Sequence, residues 1–179
     1  FCLCSSLTQI TIPSSVTKIG EGSFSGCLSL THITLPSINL ISRKAFFGCS
    51  SLIQITIPSS VTEIGKYAFS RCKLLNCITI PSSVSKIDDY AFSECPSLNL
   101  ISIQSPNVKI GQHVFNKCKT ITLSNDMTTV FPNMFSKCSS LEQVTISSSV
   151  TEIGNRAFSE CKSLKQITIS SSITIIREY

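Results

Sequence analysis

One spacing governs this chain. Cysteines fall at Cys4, Cys27, Cys49, Cys72, Cys95, Cys118, Cys138 and Cys161, separated by 23, 22, 23, 23, 23, 20 and 23 residues. From Cys27 onward each has a Phe three residues before it: Phe24, Phe46, Phe69, Phe92, Phe115, Phe135 and Phe158. Most have a Leu three residues after, as at Leu7, Leu30, Leu52, Leu75, Leu98, Leu141 and Leu164. An Ile-x-Ile pair follows, as in Ile10/Ile12, Ile55/Ile57, Ile78/Ile80 and Ile167/Ile169. Self-similarity at this period is the signature of a solenoid, in which each unit buries its faces only against its neighbours.

The unit reads C-x-S-L-x-x-I-T-I-P-S-S-V-T-x-I-G-x-x-A-F-S-x, and the copy from Cys49 to Arg71 matches it at nearly every position. L-x-x-I-T-I alternates apolar and polar residues, the pattern of a half-buried strand. Ile10 and Ile12 should face inward, Gln9 and Thr11 outward. Pro13 lacks the backbone donor that would continue a ladder, so P-S-S ends the strand. V-x-x-I-G returns two apolar anchors to the core, as at Val61 and Ile64, and turns at Gly65. A-F-S-x-C should close the coil as a short helical turn with Phe and Cys inward. Stacking at ~4.8 Å per strand then gives a rod or arc roughly 35 Å long, with ladders of Phe, Ile, Cys and outward Thr.

Residues 1–179 are therefore expected to form a single domain of about eight repeats of ~23 residues, incomplete at both ends. The second unit lacks one Ser, giving Pro36-Ser37-Ile38. The unit at 118–137 is three residues short, lacks the Leu, and carries Phe131, Pro132 and Met134, so that coil should be distorted. The chain opens at Phe1 and closes at Tyr179 without a polar capping unit, and we expect it to be a stretch of a longer array.

The string Leu52-Ile53-Gln54-Ile55-Thr56-Ile57-Pro58-Ser59-Ser60-Val61-Thr62-Glu63-Ile64-Gly65, with Ala68-Phe69 and Cys72, resembles the BspA-like leucine-rich repeat, and the resemblance extends over essentially the whole chain. It implies a right-handed, mainly β leucine-rich-repeat solenoid, with a parallel β-sheet on the concave face and short strands and helical turns on the convex side. It also implies a surface-exposed or secreted protein that adheres to host cells or extracellular matrix, and it brings no catalytic residues and no cofactor.

The other residues that carry chemistry point the same way. Ten cysteines in a short chain suggest disulfides, but the recurring ones sit between core residues and read as a buried free-thiol ladder. Cys77 differs: it aligns with Gln9, Gln54, Gln143 and Gln166 and should be exposed on the sheet. Zinc needs four converging N/S ligands, and neither Cys2/Cys4 nor Cys72/Cys77 has a second pair at finger spacing. His32 falls on the sheet face and His113 in the turn before Phe115, so the two histidines cannot share a site. Sugar-cleaving β-helices need paired carboxylates on one face, and the expected outward positions, which include Leu100 and Ser102, contain no Asp or Glu. The 15 basic and 10 acidic residues give a net charge of +5. No dense basic stripe is present, which argues against nucleic acid. No stretch approaches the ~20 apolar residues of a membrane span.

The expected contact surface is thus the concave face, at Gln9, Thr11, His32, Thr34, Gln54, Thr56, Cys77, Thr79, Gln143 and Thr145. Its weak charge suits a host or matrix protein, or a glycan, bound through many modest repeated contacts. A passive structural spacer and an intracellular scaffold, which would place the chain in the cytoplasm and suit unbridged thiols, are the competing readings.

Overall fold

The computed structural model describes residues 1–178; Tyr179 lies outside the described residues. The chain winds as a parallel-strand β-solenoid of about seven coils. Among the described residues fourteen short strands lie along it in two columns. The long-strand column holds β1 (Gln9–Thr11), β2 (His32–Thr34), β5 (Cys77–Ile80), β7 (Leu100–Ile103), β9 (Thr120–Leu123), β11 (Gln143–Thr145) and β13 (Gln166–Thr168). The second column holds the two-residue strands β3 (Leu40–Ile41), β4 (Glu63–Ile64), β6 (Lys86–Ile87), β8 (Lys109–Ile110), β10 (Thr129–Val130), β12 (Glu152–Ile153) and β14 (Ile175–Ile176). All pairings are parallel and join one coil to the next. The second column supplies the short strands expected beside the main sheet: V-x-x-I-G builds them, because its Ile packs inward while the residue before it extends the ladder.

The A-F-S-x-C segment is not the helical turn expected of it. Among the described residues there is no helix. The segment is a run of tight turns closed by i→i+3 hydrogen bonds, such as Gly65 O from Ala68 N and Phe69 O from Cys72 N. Each has its third residue in the left-handed region, Tyr67 at φ 59° and Arg71 at φ 64°. Positive φ at two residues four apart cannot continue an α-helix. What holds this conformation against its steric cost is the neighbouring coil. The amides of Tyr67, Phe69 and Arg71 donate to the carbonyls of Asp89, Ala91 and Ser93.

The core is a set of ladders. Phe46, Phe69, Phe92, Phe115 and Phe135 are fully buried. Consecutive rings from Phe1 to Phe115 stack with centroids 5.2–5.8 Å apart. The cysteines are free, and their thiols have a bonding role. The Cys72 Sγ–H donates to Phe46 O at 3.2 Å and the Cys95 Sγ–H to Phe69 O at 3.2 Å. Cys27, Cys49 and Cys161 repeat the contact at 3.0–3.1 Å. Each such Phe carbonyl from Phe24 on already accepts the amide of its own coil's Cys. The thiol of the next coil fills its second lone pair, a weak but recurrent bond.

Hydroxyls do the same where the strands end. Ser60, Ser83, Ser149 and Ser172 donate to carbonyls of the preceding coil, at Ile38, Val61, Met127 and Val150. Thr62, Thr151 and Thr174 do likewise two positions further on, and Thr31 does so just before β2. Part of the Ser/Thr richness is therefore inter-coil bonding. Gly111 marks the tightest backbone approach: a Cβ there would lie 2.6 Å from Asp89 N, and one at Gly65 would lie 2.8 Å from Arg43 N.

The irregular units bend the ladders. The three-residue deletion falls between Cys118 and β9. As a result β9 slides by two residues along β7, so that Leu100 faces Thr122 rather than Thr120. A slip of two keeps the inward and outward faces, and Ile121 and Leu123 remain buried. Phe115 and Phe135 are tilted by 44° rather than stacked, and the Cys118 thiol points to Cys95 O at 3.6 Å instead of to a Phe carbonyl.

Two outcomes follow. Phe69→Ala empties a fully enclosed ring site and should cost about 3–5 kcal/mol, read as a lower urea midpoint. Burial raises the ladder thiols, Cys49, Cys95 and Cys138 to about 12 from 9.0. The folded state disfavours the thiolate, so this contribution is complete below pH 9 and is lost as pH rises from 9 toward 12. Urea midpoints should be flat from pH 7 to 8.5 and fall steeply above 9, less steeply in Cys95→Ala.

Candidate functional site

The long-strand face presents the alternate residues of each strand. Gln9 faces His32 and Thr11 faces Thr34 in register. Cys77 faces Leu100 and Thr79 faces Ser102. Gln143 and Thr145 lie between Thr120/Thr122 and Gln166/Thr168. The ten expected residues do lie on this one face, but not as one uninterrupted sheet. In the third coil Gln54, Ile55, Thr56 and Ile57 form no strand, and among the described residues they make no backbone–backbone hydrogen bond. The column breaks between β2 and β5. The coil before the break lacks one residue, so its link from β2 to β3 is short. The second column stays in register there, Leu40 opposite Glu63, and the long-strand column opens.

The opening makes a cleft of about 340 Å³ lined by Gln54, Thr56, Ser59, Cys77, Thr79 and Gln104, among others. Gln9, Thr11, His32 and Thr34 border a separate shallow hollow of about 360 Å³. Four positions depart from expectation. Cys77 is half-buried rather than exposed, tucked into the cleft beside the unpaired third coil. Ser102 is buried, with 4% of its surface accessible, because its hydroxyl donates to Asp126 Oδ2 at 3.1 Å. Gln143 and Thr145 are half-buried. His32 is exposed, its Nδ1 3.0 Å from Thr31 Oγ1.

The face is nearly free of charge because the charges pair elsewhere. Lys86–Glu63, Arg71–Glu94 and Lys165–Glu142 join successive coils at 2.7–3.1 Å, and Arg177 pairs with Glu152. Such exposed pairs are worth little individually. Their effect is to leave the Gln/Thr face neutral. Among the described residues Asp126 is the one carboxylate bonded to a long-strand residue. Among the described residues no three His, Cys, Asp or Glu side chains gather as a metal site, and no helix is long and apolar enough to cross a membrane.

A second feature escaped the sequence reading. Five residues before each cysteine the column runs Lys44, Tyr67, Tyr90, His113, Asn133 and Arg156, all at positive φ. Tyr67, Tyr90 and His113 stack at 4.9 Å, and Lys66 Nζ lies 5.7 and 5.8 Å from the two tyrosine rings. The signal for it lies in the same Phe–Cys register, at the position two residues before each Phe.

The sequence matches the family model described as BspA type leucine-rich repeat region, in six copies, over residues 1–122 and 78–179. No curated protein matches it significantly. Among solved structures it is similar to the leucine-rich repeat protein of T. pallidum. Identity there is 27% and TM-score 0.64, over 88% of this chain and 78% of that one. A leucine-rich repeat protein from Eubacterium ventriosum is 25% identical with TM-score 0.55, over 96% and 57%. The pneumococcal vaccine antigen PcpA shares the fold at 21% identity and TM-score 0.57, over 93% of this chain and 51% of that one. The chain thus spans about half to three-quarters of these relatives.

The site geometry has a direct readout. In folded protein at pH 8, a maleimide should label exposed Cys2 and Cys4 fastest and Cys77 next, while Cys49, Cys72, Cys95 and Cys118 stay unlabelled until denaturant is added. Labelling of Cys72 as fast as Cys77 would contradict the placement of both.

Proposed function

We propose that this chain, which belongs to the BspA-type leucine-rich repeat family, is a non-enzymatic protein-binding module of a surface-exposed or secreted protein. In this reading it adheres to host-cell or matrix proteins through its long-strand face. The observation that carries the proposal is the neutral array of Gln and Thr side chains on that face, with the charges drawn off into inter-coil pairs. Each outward Gln offers two donors and an acceptor, and each Thr a hydroxyl. A regular array of such groups hydrogen-bonds a large polar partner at many points, with each contact contributing modestly. The cleft at the third coil adds unpaired backbone groups of Gln54–Ile57 to the same surface, and these also need partners.

Adhesion to a panel of purified matrix proteins and to epithelial cell surfaces tests this. The double variant Gln54→Glu/Thr56→Glu should weaken whatever binding the unaltered chain shows by at least tenfold, and Lys109→Glu, on the second strand column, should leave it unchanged. Equal binding by the double variant and the unaltered chain would refute the assignment of this face.

A further inference from the structure

The stacked column Tyr67–Tyr90–His113 stops abruptly. His113 has Tyr90 against one face of its ring, 4.9 Å away. On the other side the column passes to Asn133, whose side chain is too short to supply the next ring, and then to Arg156. One layer of the stack therefore holds no ring. A cleft of about 590 Å³ opens at that place, bordered by Asp89, His113, Asn133, Lys137, Arg156 and Glu160.

The electrostatics of the cleft are uneven. Asp89 is committed: Lys66 lies 3.3 Å from its Oδ2 and Gln112 N donates to its Oδ1 at 2.9 Å. Lys137 and Glu160 offset one another at 3.8 Å. Arg156 makes no ion pair among the described residues. A guest in the vacant layer thus meets a flat ring below, an unpaired guanidinium above, and amides, hydroxyls and balanced charges around its rim. A purely aromatic guest would strand that polar rim without hydrogen bonds. A ring with one apolar face, hydroxyls at its edge and a carboxylate satisfies all three, since a guanidinium takes a carboxylate in a two-point bond.

We infer that this cleft binds a carboxylate-bearing sugar ring, a uronic or sialic acid, laid on the free face of His113 with its carboxylate on Arg156. The site is on a different part of the coil from the long-strand face and does not depend on the adhesion reading.

The two histidines make the test internal, because His32 lies on the long-strand face and His113 in the cleft. Ring resonances of both are followed by NMR while methyl β-glucuronide, methyl β-glucoside, 3′-sialyllactose and lactose are titrated in turn. His113 should shift saturably with the glucuronide or the sialyl sugar, at least tenfold more tightly than with its neutral counterpart, while His32 stays still; which acid binds distinguishes the two sources. Arg156→Gln should abolish the preference for the acid. Asn133→Tyr, which fills the vacant layer with the residue the column uses at Tyr67 and Tyr90, should block binding. A His113 resonance unmoved by all four sugars, an equal response to acidic and neutral sugars, or a preference that survives Arg156→Gln would overturn the inference.

Discussion

The structure depends on how one coil is bonded to the next at the Phe–Cys wall. There the Phe69 amide donates forward to Ala91 O, and the Phe69 carbonyl receives both the amide of Cys72 and the thiol of Cys95. A buried carbonyl with an unused lone pair in an apolar wall loses free energy relative to one that is doubly bonded. Cysteine meets the requirement in the smallest volume: it fills space as a small hydrophobe while offering a weak donor. The ring beside it stacks on the next ring at the coil spacing, so packing and bonding select the same register. The two-residue strands and the tight turns with their left-handed residues take their geometry from this wall.

Deviations from the repeat show how strictly the wall rules. Removing one residue from the second coil leaves the Phe24–Phe46–Phe69 stack intact, with interplanar angles of 1° and 5°, and the far face opens instead. Removing three residues next to Cys118 strikes the wall itself, and there both the stack and the thiol bond deform. The chain absorbs the second injury with larger side chains: Met127, Phe131 and Met134 are buried where other coils carry smaller or polar residues.

Much of this was legible in the sequence. The cysteine spacing established the solenoid, and the alternation in L-x-x-I-T-I placed Ile78 inside and Thr79 outside. Three things were not legible. The turns were misread as helical because A-F-S-x-C has helix-like spacing, and nothing local announces a positive φ at Tyr67 or Arg71; the neighbouring coil enforces it. Ser102 follows the outward alternation yet is buried, because Asp126, from the loop of the next coil, reaches over it. The gap at Gln54–Ile57 occurs in the copy that fits the consensus best, because its cause lies one coil earlier. Each miss is an effect of stacking, which a single unit does not encode.

The same division organises function. The wall is saturated internally, so it has nothing to offer a partner, while the long-strand face keeps its Gln and Thr groups free and loses its own pairing at the third coil. Amide hydrogen exchange under native conditions tests this division most directly. The amides of Phe46, Gly48, Phe69 and Arg71 should exchange only with global unfolding, and those of Gln54, Ile55, Thr56 and Ile57 faster by several orders of magnitude. Protection at Gln54–Ile57 equal to that at Phe69 would contradict the account, since the long-strand column would then be holding the coils together as firmly as the Phe–Cys wall.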